Sequence, residues 1–162
     1  MFTKVLVANR GEIAVRVVQT LQAMGIVTAV VYSEPDSNSL HVALADEAFE
    51  LEGSTVEETY LDRHKIIDLA LSCGAQAVHP GYGFLSESPK FSQDCIEAGL
   101  VFIGPRPETI ALLGDKVRSK ETAVQAGVPL VPSSPVWQPG ESNLDNLSSG
   151  IGFPLLLSLI HI

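Results

Sequence analysis

A chain of 162 residues is long enough for one well-packed domain, or for one domain and the start of another. Hydrophobic residues make up 46% and charged residues 18%, the composition of ordinary globular proteins, and ten Lys and Arg against nineteen Asp and Glu leave a net charge of −9. That balance argues against a sequence-independent grip on nucleic acid phosphates, so an anionic ligand needs local help from backbone amides or a few placed cations.

Val5, Leu6 and Val7 form a short apolar run that suits a strand covered on both faces. The polar turn Ala8-Asn9-Arg10-Gly11-Glu12 follows. Ile13, Val17, Leu21 and Met24, with Ala14 and Val18 beside them, recur every three or four residues and so share one helical face. Gly25 ends that helix and Val27 to Tyr32 starts a second strand, a unit compact enough to imply a right-handed crossover and a parallel pair. Met1-Phe2-Thr3-Lys4 runs straight into the first strand without the pattern of a secretory signal, and no apolar run reaches the ~18 residues of a membrane span. The expected compartment is the cytoplasm, with no membrane partner.

Ser33 to Ser39 is a run of turn formers expected as an exposed loop. Leu40 to Ala45 fits a short helix and Glu47 to Leu51 a short strand, and Gly53 to Thr59 is polar and loop-like. Asp62 is a good N-cap for a helix carrying Ile66, Ile67, Leu69, Ala70 and Cys73, which Gly74 closes. Ala75 to Val78 reads as the next strand. The stretch His79-Pro80-Gly81-Tyr82-Gly83-Phe84-Leu85-Ser86-Glu87 is too rich in glycine and proline for regular structure. Ser88 and Pro89 start a helix whose inner face is Phe91, Cys95 and Ala98, and Leu100 to Ile103 is expected as a buried strand. A short helix from Thr109 to Leu113, interrupted by Gly114, precedes another from Lys116 to Ala126 that Asp115 caps. From Val131 to Ser149 the chain is rich in Pro, Ser, Gly and Asn, an exit toward a second domain, and Gly152 to Leu157 is expected as that domain's first strand. Cys73 and Cys95, on predicted helices, read as reduced core residues.

Chemistry concentrates in few places. Gly11 is a single glycine where the dinucleotide fingerprint needs three, so Glu34, though well spaced for a ribose contact, does not make a nicotinamide-cofactor site. The loop from His79 to Glu87 follows a strand, where ligands of open α/β sheets bind. Its glycines allow close approach, Tyr82 and Phe84 offer flat surfaces, and His79 and Glu87 can exchange protons or orient neighbours. The same residues equally suit a structural turn. Lys116, just inside a helix start, can meet a phosphate alongside free amides, or stand in solvent. No metal-ligand spacing and no Ser-His-Asp arrangement can be inferred.

Three segments taken together go further: Ala8-Asn9-Arg10-Gly11-Glu12-Ile13-Ala14 with Arg16, then His79 to Glu87, then Phe102-Ile103-Gly104-Pro105 leading to Gly114-Asp115-Lys116. In this order and spacing the chain, from residue 2 to about 157, resembles the amino-terminal region of biotin carboxylase, of the biotin-dependent carboxylases and the ATP-grasp superfamily. Leu40-His41-Val42, Ala45-Asp46-Glu47-Ala48, Tyr60-Leu61 and Ala126-Gly127-Val128-Pro129 agree with it.

The resemblance implies an α/β fold: a Rossmann-like pre-ATP-grasp domain over residues 1–115, its parallel sheet flanked by helices, then a linker and the truncated beginning of an ATP-grasp domain over 116–162. It implies a ligase that carboxylates biotin, held on a carrier protein or domain, from bicarbonate and MgATP through carboxyphosphate. A carboxyltransferase component is the further partner, and the full-length family members are commonly homodimers. By position Lys116 matches the lysine that reaches ATP phosphates. Tyr82 and Gly83 match the loop beside the biotin and bicarbonate site, with His79 and Glu87 supporting its shape. After Ile151 to Leu157 the family continues with a second lysine and a glycine run, whereas this chain reads Ser158-Leu159-Ile160-His161-Ile162. The expectation is therefore a fragment with a foreign or frame-shifted end, without catalytic residues or metal ligands and inactive by itself. Two alternatives stand beside it: a non-catalytic module that docks on full-length carboxylase subunits, and a fragment of pyruvate carboxylase. The loop from His79 to Glu87 argues against a carbamoyl phosphate synthetase relative.

Overall fold

Val5, Leu6 and Val7 lie in β1 (Lys4–Val7), the central strand of a five-stranded sheet, and all three are fully buried. The computed structural model describes residues 1–134 and 150–155. Contacts divide the chain into two compact units, Met1–Ala111 and Leu112–Ile162. In the first unit β1 is followed by α1 (Gly11–Ala23), β2 (Val27–Tyr32), α2 (Leu40–Leu44), β3 (Glu47–Glu50), α3 (Arg63–Ser72), β4 (Ala77–His79), α4 (Pro89–Glu97) and β5 (Val101–Phe102). The strand order is β3-β2-β1-β4-β5 and every pair is parallel, with Leu6 level with Ala29 on one side and Val78 on the other.

The continuous apolar run of β1 follows from a sheet covered on both faces, because successive side chains alternate between them. Val5 and Val7 pack with Ala14, Val17, Val18 and Leu21 of α1. Leu6 and Ala8 point the other way, into a cluster with Ile66, Ile67 and Ala70 of α3 and Phe91 and Cys95 of α4. Each fully buried Val or Leu contributes about 1.5–3 kcal/mol of transfer free energy. Local signals agree with this packing. Asp62 accepts the Lys65 amide at 3.1 Å at the start of α3, and Ser88 accepts the Phe91 amide at 3.2 Å at the start of α4. Glycines at φ near +70°, Gly25 and Gly74, follow the ends of α1 and α3.

Several expectations are corrected. Met24 leaves the apolar stripe of α1 and is 53% exposed, because the helix ends at Ala23 and Met24 sits in its terminal turn. The strand expected over Leu100 to Ile103 is only Val101–Phe102, and Val101 is 48% exposed, since β5 is a sheet edge. The loop from Ser33 to Ser39 holds a 3-10 turn at Glu34–Asp36, with Ser33 buried. A second 3-10 turn, Phe84–Glu87, closes the stretch from His79 to Glu87, which proline and glycine made look irregular throughout. The helix α5 (Pro107–Gly114) begins two residues early and includes Gly114, with Ile110 buried in the cluster that holds Leu6.

In the second unit α6 (Lys116–Gln125) forms as expected, with the Asp115 carboxylate over its first turn. Gly152 to Leu155 carry no strand, and Leu156 and Leu157 fall outside the described residues.

Candidate functional site

The chain leaves β1 toward β2 on one side, while β4 returns on the other, so the carboxyl ends of β1 and β4 flank the point where the strand order reverses. Crevices of this kind are where open α/β sheets bind ligands. Two loops meet there: the turn from Ala8 into α1, and the loop that starts at His79.

Asn9 joins them. It is 3% exposed, and its Nδ2 donates to the carbonyl oxygens of Pro80 at 2.7 Å and Tyr82 at 2.9 Å, while its Oδ1 accepts the Arg10 amide at 2.9 Å. The opposite amide orientation would set a carbonyl against two carbonyls, so the network fixes this one. Ala8 N–H donates to the His79 carbonyl at 2.9 Å and extends the pairing of β1 with β4. His79 turns back on its own loop, its Nδ1 accepting the Gly81 amide at 3.0 Å. Burial holds its pKa below the usual histidine value, against the opposing pull of a backbone contact, so the ring is neutral with its proton on Nε2. Gly81 has φ +67°, and a β-carbon there would stand 2.6 Å from Asn9 Nδ2. Gly83, at φ 64° and ψ −164°, lies in a region that only glycine visits freely.

Beside this loop lies a second network. The Asp36 Oδ2 accepts from the Tyr60 hydroxyl at 2.7 Å, Arg10 at 3.1 Å and the Ser33 hydroxyl at 3.2 Å, and the Tyr60 oxygen accepts the Ser33 amide at 3.0 Å. Burial raises the Asp36 pKa, but the hydrogen bonds from Tyr60 and Arg10 and the Arg10 charge outweigh it and hold the carboxyl below its ordinary value. Tyr60 is pushed up to about 12, mainly by burial. The Tyr60 and Phe84 rings stack at 5.5 Å and 5°, and the Arg10 guanidinium lies over both at 5.5 and 5.8 Å. This stack braces Phe84 at φ 45°, uncommon for a non-glycine residue. His41 of α2 is fully buried with Nε2 3.3 Å from the Val31 carbonyl and Nδ1 unpartnered, and burial depresses its pKa.

Tyr82 stands at the outer end of the loop, 60% exposed, its hydroxyl donating to Glu12 Oε1. That acceptor keeps the phenol protonated beyond its ordinary range. Glu87 is exposed, with no side-chain hydrogen bond or ion pair to the described residues, while His79 Nδ1 and Asn9 Nδ2 bond to the loop backbone. The loop therefore presents an aromatic ring and peptide edges on a rigid base, without a paired nucleophile and base. An apolar groove of about 410 Å³ along β5, lined by Ile96, Leu100, Val101 and Arg106 among others, shares no residue with it.

Lys116, in the second unit, is exposed at the first position of α6. The free amides expected beside it are not free. Asp115 Oδ1 accepts from Val117 N–H at 2.9 Å and Arg118 N–H at 3.0 Å, and its negative charge fills the place an anion would take. No group of three or more His, Cys, Asp and Glu among the described residues could hold a metal ion.

Sequence reasoning missed Asn9, Asp36 and Tyr60 as parts of this site. Asn9, Arg10 and Tyr60 stood in segments of the family resemblance but without a role beside this loop, and Asp36 stood only in a loop; partners 24 to 73 positions away leave no local signal.

Residues 1–110 match the family model "Biotin carboxylase, N-terminal domain". The chain is 46% identical over 157 residues to the biotin carboxylase of Halalkalibacterium halodurans, covering 97% of this chain and 35% of that protein. It is 48% identical over 157 residues to the 2-oxoglutarate carboxylase small subunit of Hydrogenobacter thermophilus, covering 97% and 33%. The crystal structure of the biotin carboxylase domain dimer of that thermophile's 2-oxoglutarate carboxylase, in complex with MgADP, ADP and bicarbonate, superposes with a TM-score of 0.84 at 48% identity, over 95% of this chain and 34% of that one. The chain thus spans about a third of the relatives it matches.

Proposed function

We propose, since this chain belongs to the biotin carboxylase N-terminal domain family, that it forms the amino-terminal part of a subunit that carboxylates carrier-bound biotin from bicarbonate and MgATP through carboxyphosphate. Residues 1–115 are its pre-ATP-grasp domain and 116–162 the beginning of the nucleotide-binding part. The observation that carries the reading is the anchored loop at the sheet's reversal point, with Tyr82 exposed at its tip and Gly83 leaving its backbone open to a ligand. A flat ring and peptide edges suit the planar ureido group of biotin or a bicarbonate ion. His79, neutral and bonded to Gly81, shapes this loop rather than moving protons, and Glu87 stands at its far end in solvent.

The described residues do not by themselves fit MgATP. Lys116 supplies one positive charge at a helix start already capped by Asp115, and no carboxylate cluster accompanies it. Lys116 is accordingly one contact to ATP phosphates in a site that other segments of the subunit complete, and the 162-residue polypeptide alone does not carboxylate biotin. A biotin carboxyl carrier protein or domain and a carboxyltransferase component follow as partners from the reaction, and the dimeric relative supports a second copy of the full-length subunit as a third. Two free cysteines, one of them fully buried, suit the reducing cytoplasm, and no helix among the described residues is long and apolar enough to cross a membrane.

The test compares two proteins for ATP cleavage dependent on both biotin and bicarbonate. The 162-residue chain is expected to show none. A chimaera in which residues 1–110 replace the matching domain of the Halalkalibacterium halodurans relative is expected to be active, with a raised Michaelis constant for biotin in its Tyr82→Ala form. Activity of the short chain, or an inert chimaera that folds and dimerises normally, overturns the proposal.

A further inference from the structure

We propose that Asn9 is a positioning residue for the Tyr82 loop, setting through its side-chain amide where the tyrosine ring stands in the biotin and bicarbonate site. The proposal rests on the reading of that loop given above.

The geometry is that of a clamp. One carboxamide, 3% exposed, spends both N–H donors on the backbone of the loop, at Pro80 and Tyr82, and its acceptor on the Arg10 amide. The residue between the two clamped carbonyls is Gly81, and only a glycine leaves room, since a β-carbon there would stand 2.6 Å from Nδ2 and 2.9 Å from Cγ of Asn9. Asn9 is thus seated against the peptide it orients. Gly81 and Gly83, both at positive φ, bracket Tyr82, so local preference alone leaves this backbone several conformations. Glu12, three residues after Asn9, accepts the Tyr82 hydroxyl. Asn9 therefore fixes the backbone and Glu12 the ring, both from the turn that opens α1.

The chemistry requires an amide. Aspartate has the same shape but no N–H, and would turn an oxygen toward two carbonyl oxygens. Serine and alanine do not span the distance. Losing both bonds leaves two carbonyl oxygens in a largely buried place without their donor, enough to raise loop opening about tenfold or more.

Two measurements test this. Amide hydrogen exchange in the 162-residue chain follows the Gly81 and Ser86 amides, which bond to His79 Nδ1 and to the Gly83 carbonyl, in the wild type, Asn9→Ala and Asn9→Asp. Exchange there is expected to accelerate about tenfold or more in both variants, with the amides of β1, β2 and α1 beyond its first turn unchanged. In the chimaera described above, both variants are expected to raise the Michaelis constant for free biotin about tenfold while that for ATP stays within about twofold. A merely structural asparagine would shift both constants or neither. Unchanged loop exchange overturns the clamp, as does an unchanged biotin constant in a chimaera where Tyr82→Ala raises it. If Tyr82→Ala itself leaves biotin use unaltered, the loop reading has failed, and the exchange data alone uphold or overturn the clamp.

Discussion

Replacing Tyr60 by Phe removes one oxygen and keeps the stack on Phe84, so it isolates the polar network beside the loop. That oxygen donates to Asp36 at 2.7 Å and accepts the Ser33 amide at 3.0 Å. A hydrogen bond to a charged group contributes about 1.5–3 kcal/mol, and an orphaned buried N–H costs about 1–3 kcal/mol. The two losses overlap, because Asp36 keeps Arg10 and the Ser33 hydroxyl, so Tyr60→Phe is expected to cost about 2–4 kcal/mol. Urea unfolding followed by circular dichroism would show a midpoint about 1–2 M lower at unchanged slope. The pH profile supplies a second signature. Tyr60 is raised in the folded state to about 12, so its contribution is complete below about pH 10, where the unfolded tyrosine titrates, and is lost as pH rises through 12. Two units correspond to about 2.7 kcal/mol, and solvent screening of the Asp36 charge that supplies part of the shift leaves about 1–2 kcal/mol. The wild type should therefore lose stability between pH 10 and 12 by that much more than the variant. At the acid end, Asp36 is held below its ordinary value, so its contribution is present above that value and is lost as pH falls through the folded one, where the variant's deficit narrows. A loss under about 0.5 kcal/mol, or alkaline limbs that superimpose, would refute the reasoning.

Three further outcomes are expected. His41 and His79 have depressed folded pKa values, so the stability each contributes is complete above the unfolded value near 6.5 and declines as pH falls through the folded ones. His41→Gln, which keeps a donor toward the Val31 carbonyl, should flatten that decline in a series of melts, and an unchanged slope argues against it. Burial pushes the Cys95 thiol up to about 12, so a thiol reagent at pH 8 should modify the half-buried Cys73 and spare Cys95 until denaturant is added; equal rates in the native chain would contradict the packing of α4. Asp62→Ala removes the acceptor of the Lys65 amide and should cost about 1 kcal/mol in urea unfolding, with a change under about 0.3 kcal/mol counting against the cap.

Much of this protein follows from the sequence because its signals are local. The apolar run of β1, the stripe from Ala14 to Leu21, the Asp62 and Ser88 caps and the glycines after α1 and α3 each act within a few residues, where propensity and steric limits decide conformation. The family resemblance rests on such segments read together, and residues 1–110 match the family model. Tertiary structure decided the rest. Alternation along β1 predicts two covered faces, but only the sheet order brings the turn at Asn9 against the loop at Gly81, 72 positions later, and only that approach makes glycine obligatory there. Asp36 becomes an acceptor for three groups, and Val101 an exposed edge, through neighbours the local pattern does not encode. At Lys116 the sequence placed the residue at the head of a helix, while the folded cap decided that Asp115, one position earlier, already occupies the amides a phosphate would use. Hydrogen bonds and exclusion of water depend on distances in space, and for these residues the chain sets those distances only when the sheet closes.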